Sequence, residues 1–552
     1  MKNRKTITKA VAAILAGLLL VGCANENEPV SSSEESKVVS SETATKESEV
    51  VEVSNLNEEG YPVVKEPITI TVTGKLSSNE DPWEGLAQVE YLSELTGVNL
   101  EMTGIHSEAW AQQKGLMLTS DDLADLIISA DYTKEEYFKY GEEGLFIPLN
   151  DLIEKYMPNL KALLEEYPEI KAMMTNADGS IYALPRFAPV VRDMHRRYWL
   201  NEVWVENLGL KMPETLDDYY NILKAFKEQD ANGNGDPNDE IPLSGFEGKD
   251  ANTGLILNAL GVNAKNDLYG YTYDEAGNVY CVNTSEGYKE YLKFMNKVYE
   301  EKILDQEYFT QTQDQWKAKQ QENLVGATQS AAMYNTAGTE IGYNYTQIDG
   351  LTSALNDTPM VTSWFKCTLI GAITKNNENP EATARMLDYF YSEEGGILAY
   401  VGVQGVTWDW VDESAGTWDK LTKEGYETAE KYRYVECVVG GWPSYERMEF
   451  NMGQGSENAL WLNAMSYKSS EHFVAEFPLS YFALSSDDAE LVESYRTDLE
   501  TYTTQMRADF ITGKKDIDAE WDAYVKQMDK MGVAEILPIY QKAYEEYVAL
   551  TK

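Results

Sequence analysis

The run Asp230-Ala231-Asn232-Gly233-Asn234-Gly235-Asp236-Pro237-Asn238-Asp239-Glu240 holds the sharpest chemical signal in the chain. Oxygen-bearing side chains stand at positions 1, 3 and 5 (Asp230, Asn232, Asn234), a glycine at 6 (Gly235) and Asp236 at 7, as in the first half of an EF-hand loop. Odd positions aim oxygens at one centre, Gly235 permits the sharp left-handed turn, and Asp236 offers its backbone carbonyl. The second half departs: position 12 is Ile241, and the acids Asp239 and Glu240 stand at 10 and 11. The alternative is a polar turn in which Asx side chains cap local backbone. Carboxylates this crowded repel one another unless a cation is present, which favours a structural calcium site over the bare turn.

A second signal lies at the start. Lys2, Arg4, Lys5 and Lys9 precede an apolar run from Ala10 to Gly22, too short to span a bilayer and suited to an export signal. It ends Leu20-Val21-Gly22-Cys23, which resembles a lipobox, so residues 1–22 are expected to be cleaved and Cys23 to carry acyl chains of the palmitate type. Three further cysteines, Cys281, Cys367 and Cys437, allow at most one disulfide.

Other chemistries find little support. Three histidines, at 106, 195 and 472, share no zinc-binding spacing. No nucleophile elbow or phosphate loop is present, so no catalytic residue is assigned. His195 with Arg196 and Arg197 offers an anion site, with a structural strand as the commoner reading. The tryptophans at 364, 408, 410, 418 and 442 crowd one region among Gly-rich or polar loops. Aromatic side chains in such positions stack on the apolar face of sugar rings or anchor the loops, and the two readings stand equal. Trp83, Tyr132, Arg186, Trp364, Trp408 and Trp442 are the ligand-contact candidates.

A net charge of −46, from 46 basic and 92 acidic residues, argues against nucleic acid and against a basic membrane-surface helix. Between residues 31 and 49, twelve of nineteen are Ser or Glu, a composition that cannot offset chain entropy, so residues 23–66 are expected to form a flexible tether. Order is expected from Pro67: Ile68–Val72 alternates as a strand, Leu86, Val89, Leu92 and Leu95 trace a helix stopped by Gly97, Val98–Met102 is a second strand, and Ala124–Ser129 reads as a buried parallel strand. This is the alternation of an α/β sheet, whose ligands sit beyond the carboxyl ends of the strands. Thr215 caps a helix through Gln229, and Pro380 opens another.

Several passages after residue 66 resemble the family 1, oligosaccharide-type solute-binding lipoproteins of ABC importers: Leu116–Ile128, Phe146-Ile147-Pro148-Leu149-Asn150-Asp151, Asp178-Gly179-Ser180-Ile181-Tyr182-Ala183-Leu184-Pro185, Leu208–Thr215 with the loop at 230–240, and Asn379–Arg385 with Asp388–Gly395. The resemblance implies a type II periplasmic-binding-protein-like α/β fold with two lobes, a hinge and an interlobe cleft. One lobe would comprise 67–187 and 360–450, the other 188–359 and 451–552. It implies a monomeric, lipid-anchored receptor on the outer face of the cell membrane, handing an oligosaccharide, neutral by first choice, to ABC permease subunits, with no enzymatic activity. Alginate-binding members hold calcium in the same loop, which supports Asp230, Asn232, Asn234, Asp236, Asp239 and Glu240 as ligands. Alternatives are a surface carbohydrate-active enzyme and a binder of peptides or another non-sugar solute.

Overall fold

The computed structural model describes residues 54–551, apart from 78, 79, 121, 267 and 365. The export signal, Cys23 and the tether up to residue 53 lie outside the described residues. Residues 54–66, expected to belong to the tether, are instead packed. Val63 and Val64 bury against Ala382, and the Arg385 guanidinium donates to the carbonyls of Asn57 and Gly60. Leu56, Val63 and Val64 give this stretch the apolar surface that the Ser/Glu run lacks.

The chain opens with β1 (Ile68–Lys75) and β2 (Val98–Ile105), parallel and joined by the helix Ala87–Thr96. Gly97, at φ 74°, ends that helix by donating its N–H to the Ser93 carbonyl. β3 (Leu126–Ile128), wholly buried, lies beside β1, and β4 (Leu184–Ala188) follows four short helices. The chain then crosses to a second sheet of β5 (Tyr198–Asn201) and β6 (Ile241–Leu243), sends out the hairpin β7 (Tyr271–Tyr273) and β8 (Val279–Cys281), and completes the sheet with β9 (Val325–Gln329) and β10 (Tyr345–Gln347). It returns through β11 (Val361–Ser363) and β12 (Lys366–Ile373), forms the hairpin β13 (Trp408–Asp412) and β14 (Thr417–Lys420), and adds β15 (Ser444–Tyr445). After β16 (Phe473–Ala475) the remaining chain is helical.

The first sheet runs β15-β4-β12-β3-β1-β2, and the returning β12 is antiparallel to both neighbours. The second runs β10-β5-β9-β6. Each carries its own core: Ile70, Val72, Ile127, Phe187 and Ile373 belong to the first, and Tyr198, Phe226, Leu243, Leu292 and Phe510 to the second. These are the two lobes of a type II periplasmic-binding-protein-like fold. Three crossovers link them side by side. β11 pairs in parallel with β16, and His195 of the first crossover bridges Ser363 of the second.

Among the described residues no helix is long and apolar enough to cross a membrane. Cys281, Cys367 and Cys437 are all free thiols. Burial pushes the Cys281 and Cys437 thiols up to about 12, so they are protonated packing groups.

Candidate functional site

A cavity of about 390 Å³ opens at the carboxyl ends of β6 and β9 beside the crossovers, lined by Asp193, Arg196, Phe246, Trp316, Gln329 and Trp364 among others. Trp316 is buried, donating its indole N–H to Thr328 Oγ1 at 3.2 Å, with the Phe246 ring 5.0 Å away. Trp364, half-buried on the second crossover, is held by its backbone N–H on the Met194 carbonyl. Lys265 Nζ lies 5.1 Å from its ring centroid and the exposed Arg196 guanidinium 5.9 Å. Aromatic faces flanked by amides, carboxylates and cations can grip a ring of apolar C–H and polar hydroxyl groups.

The polar floor is fixed in advance. Asp193 sits between Lys366 at 3.3 Å and Arg192 at 3.5 Å. Burial opposes its charge, yet Lys366, Arg192 and Arg197 together hold its carboxyl below the usual range. Arg197 is buried, donating to Ser466 Oγ and to the carbonyls of Ala331 and Arg192. His195 is also buried, 3.1 Å from the Val191 carbonyl and 3.0 Å from Gln347 Nε2. Burial first, and then the charge of Arg197, lower the His195 pKa to about 4. His195 is therefore a neutral hinge residue; of the run His195-Arg196-Arg197, only Arg196 is exposed.

Of the six expected ligand contacts, Trp364 alone lines this cavity. Trp442 is buried in the first lobe, its indole N–H on Gln88 Oε1 at 3.1 Å and its ring 4.9 Å from Phe390. Trp408 is buried in a separate cluster under the β13–β14 hairpin, where Trp418 stacks on Phe450 at 4.6 Å. Trp83 is buried against the close-packed glycines of β1 and β2, where a Cβ on Gly74 would come 2.9 Å from its ring. Tyr132 is buried among Tyr137, Tyr140 and Phe146. All four are buried in packed clusters in this structure, because turn-forming glycines and polar neighbours in sequence did not leave them exposed in space. Arg186 lies in the first lobe, ion-paired with the buried Glu446. Phe246, Trp316 and Gln329 were missed; the signal available for Phe246 and Gln329 was their place just beyond or at the end of strands in the second sheet, whereas Trp316 lies inside the helix Gln313–Gln321 and carried no such signal.

The loop at 230–240 is more convergent than a polar turn. Asn232 Nδ2 and Asn234 Nδ2 donate to the two carboxylate oxygens of Asp239 at 3.0 and 2.6 Å, and the Gly235 N–H to Asp230 Oδ2 at 3.0 Å. Glu240 is buried, accepts from the Ala231 N–H at 2.8 Å, and has its carboxyl raised by burial. Asp230 Oδ1 and Glu240 Oε2 are buried with no hydrogen-bond partner among the described residues. Two orphaned carboxylate oxygens beside an all-oxygen donor set fit a hard divalent cation.

Residues 77–397 match the model of the bacterial extracellular solute-binding protein family. The chain is 29% identical over 487 residues, covering 86% of itself and 89% of the relative, to the fructooligosaccharide ABC transporter substrate-binding protein FusA of Streptococcus pneumoniae. The structure of FusA in complex with kestose superposes with TM-score 0.70 at 26% identity, covering 87% of this chain and 100% of that one. A FusA EF-hand mutant with fructo-nystose gives 0.69 at 25% identity over the same shares. An HMO-binding ABC-transporter-associated solute-binding protein of Bifidobacterium longum infantis shares the fold, with TM-score 0.74 at 23% identity, covering 88% and 100%. Two α/β lobes, three crossovers and a cavity beside them are accounted for together by this match: the chain belongs to the bacterial extracellular solute-binding proteins.

Proposed function

We propose that this protein is a lipid-anchored receptor that captures an oligosaccharide between its lobes and delivers it, unchanged, to an ABC importer. The observation that carries this reading is the cavity beside the hinge, where Trp364, Trp316 and Phe246 stand among the polar side chains of Asp193, Arg196 and Gln329. The likeness to FusA supports the sugar class. Trp364 supplies a stacking platform, and Asp193, oriented by Lys366 and Arg192, accepts sugar hydroxyls. Closure about the crossovers sequesters the ligand and presents one lobe surface pair to the permease. Acylation at Cys23 holds the receptor at the outer face of the membrane, with two or more chains for firm attachment.

Calcium in the 230–240 loop completes the fold of the second lobe. Asp230, Asn232, Asn234, Asp239 and Glu240 would hold it with the Asp236 carbonyl, neutralising the crowded carboxylates. The FusA EF-hand mutant supports a metal loop in the relative.

A second reading, an acidic glycan, is favoured by the cationic side chains of Arg196 and Lys317, which line the cavity. Calorimetry against neutral and uronate-bearing oligosaccharides, with analysis of the recovered sugar, separates these outcomes. Binding with unaltered sugar supports the receptor; released fragments, or binding of peptides alone, overturn it.

A further inference from the structure

Where the crossovers meet lies a cluster that the sugar site does not use. Asp349 stands just past β10, and Glu471 and His472 form the turn leading into β16. His472 Nε2 is 3.6 Å from Asp349 Oδ2 and 3.9 Å from Glu471 Oε1, and the three donor atoms all lie within 4.8 Å of one another. Asp349 Oδ1 accepts the Gly350 N–H at 2.9 Å, the Ser469 hydroxyl also bonds this carboxylate, and Oδ2 is the oxygen that faces His472. Neither carboxylate has a lysine or arginine within ion-pair distance among the described residues. Two carboxylates therefore face one imidazole in a half-exposed recess with no fixed cation.

We propose that Asp349, Glu471 and His472 form a site for a divalent transition metal, zinc by donor type, that ties the third crossover to the edge strand of the second lobe. The spacing carries the argument. Ligands about 2.1 Å from a tetrahedral zinc stand roughly 3.4 Å apart, so the two histidine–carboxylate separations, 3.6 and 3.9 Å, need to contract by about 0.2–0.5 Å, and the carboxylate–carboxylate separation, at most 4.8 Å, by no more than about 1.4 Å. An imidazole nitrogen with two carboxylate oxygens is a borderline donor set that selects zinc over calcium, and so distinguishes this cluster from the all-oxygen loop at 230–240. Three protein ligands leave a position for water, and the mostly exposed side of Glu471 gives access to it.

The location gives the metal a consequence. Gln347, two residues before Asp349, bonds both His195 of the first crossover and Ser469 of the third. The His195 ring also lies 4.8 Å from Phe473. A metal here would stiffen the segments that bend when the lobes move. It would bind whether or not the cavity takes a sugar.

The test is zinc titration of the full chain by calorimetry in saturating calcium, which fills the oxygen loop, alongside H472Q and D349N. Cobalt absorption in the visible provides a second readout. The expected result is one zinc equivalent in the wild type and at least tenfold weaker binding in both variants, with circular dichroism and calcium binding unchanged. Absence of a zinc equivalent in the wild type, or its persistence in both variants, overturns the proposal. Oligosaccharide binding, measured on the same samples, reports separately on the sugar reading.

Discussion

Trp364 and Trp442 are the same residue type in opposite situations. Trp364 is half-buried, with cations over its ring at the cavity edge, whereas Trp442 is sealed between Phe390 and Gln88. W364A is expected to weaken oligosaccharide binding about tenfold, the worth of one aromatic stack, while barely changing the melting temperature. W442A is expected to leave affinity nearly intact and cost about 3–5 kcal/mol of stability. Calorimetry and denaturant unfolding of the two variants check the pair, and the reverse pattern would place the ligand elsewhere. His195 gives a pH signature. Its pKa falls from 6.5 to about 4 on folding, so the unfolded chain binds the proton more readily. Its stabilising contribution is complete above pH 6.5 and is lost as pH falls toward 4. Wild type should therefore lose about 3 kcal/mol across that interval that H195N does not lose, read as the difference between their pH–stability curves.

At the scale of elements, the 230–240 loop lies between a capped helix and a sheet strand. Thr215 and Asp218 form a reciprocal capping box at the start of Leu216–Glu228, and β6 begins at Ile241. The loop thus fixes the angle at which a helix hands over to a strand whose carboxyl end borders the cavity. Removing calcium is expected to lower the melting temperature of wild type by several degrees and to leave E240Q unmoved by chelator. Differential scanning calorimetry with and without chelator checks this, and an unchanged wild-type transition would return the loop to a plain Asx turn. Glu240 was legible only as a closing acid out of register with an EF-hand. Its burial, and the bond from the Ala231 N–H, come from the fold.

For the whole molecule, two cores of buried apolar side chains sit on either side of three crossovers. Each lobe is stiffened by its own sheet, so the least costly large motion is rotation about the crossovers. Ligand is expected to reduce the radius of gyration measured by small-angle X-ray scattering, and W364A at sub-saturating sugar to reduce the compacted fraction. An unchanged scattering profile at saturation would overturn closure.

Local patterns in the amino-acid sequence determined much of the first sheet. The alternation at 68–72, the glycine stop at 97 and the apolar run at 124–129 act over a few residues, and each became the expected element, the last as the shorter strand Leu126–Ile128. The same holds for the Thr215 cap and the helix opened by Pro380. Packing at 54–66 and the burial of Trp83, Tyr132, Trp408 and Trp442 were decided by tertiary contacts with partners far along the chain, such as Ala382 for Val64 and Gln88 for Trp442. Solvent exposure is set by what folds over a side chain. Trp364 stayed at the cavity and Trp442 did not because one lies on a crossover between lobes and the other packs against a helix within one.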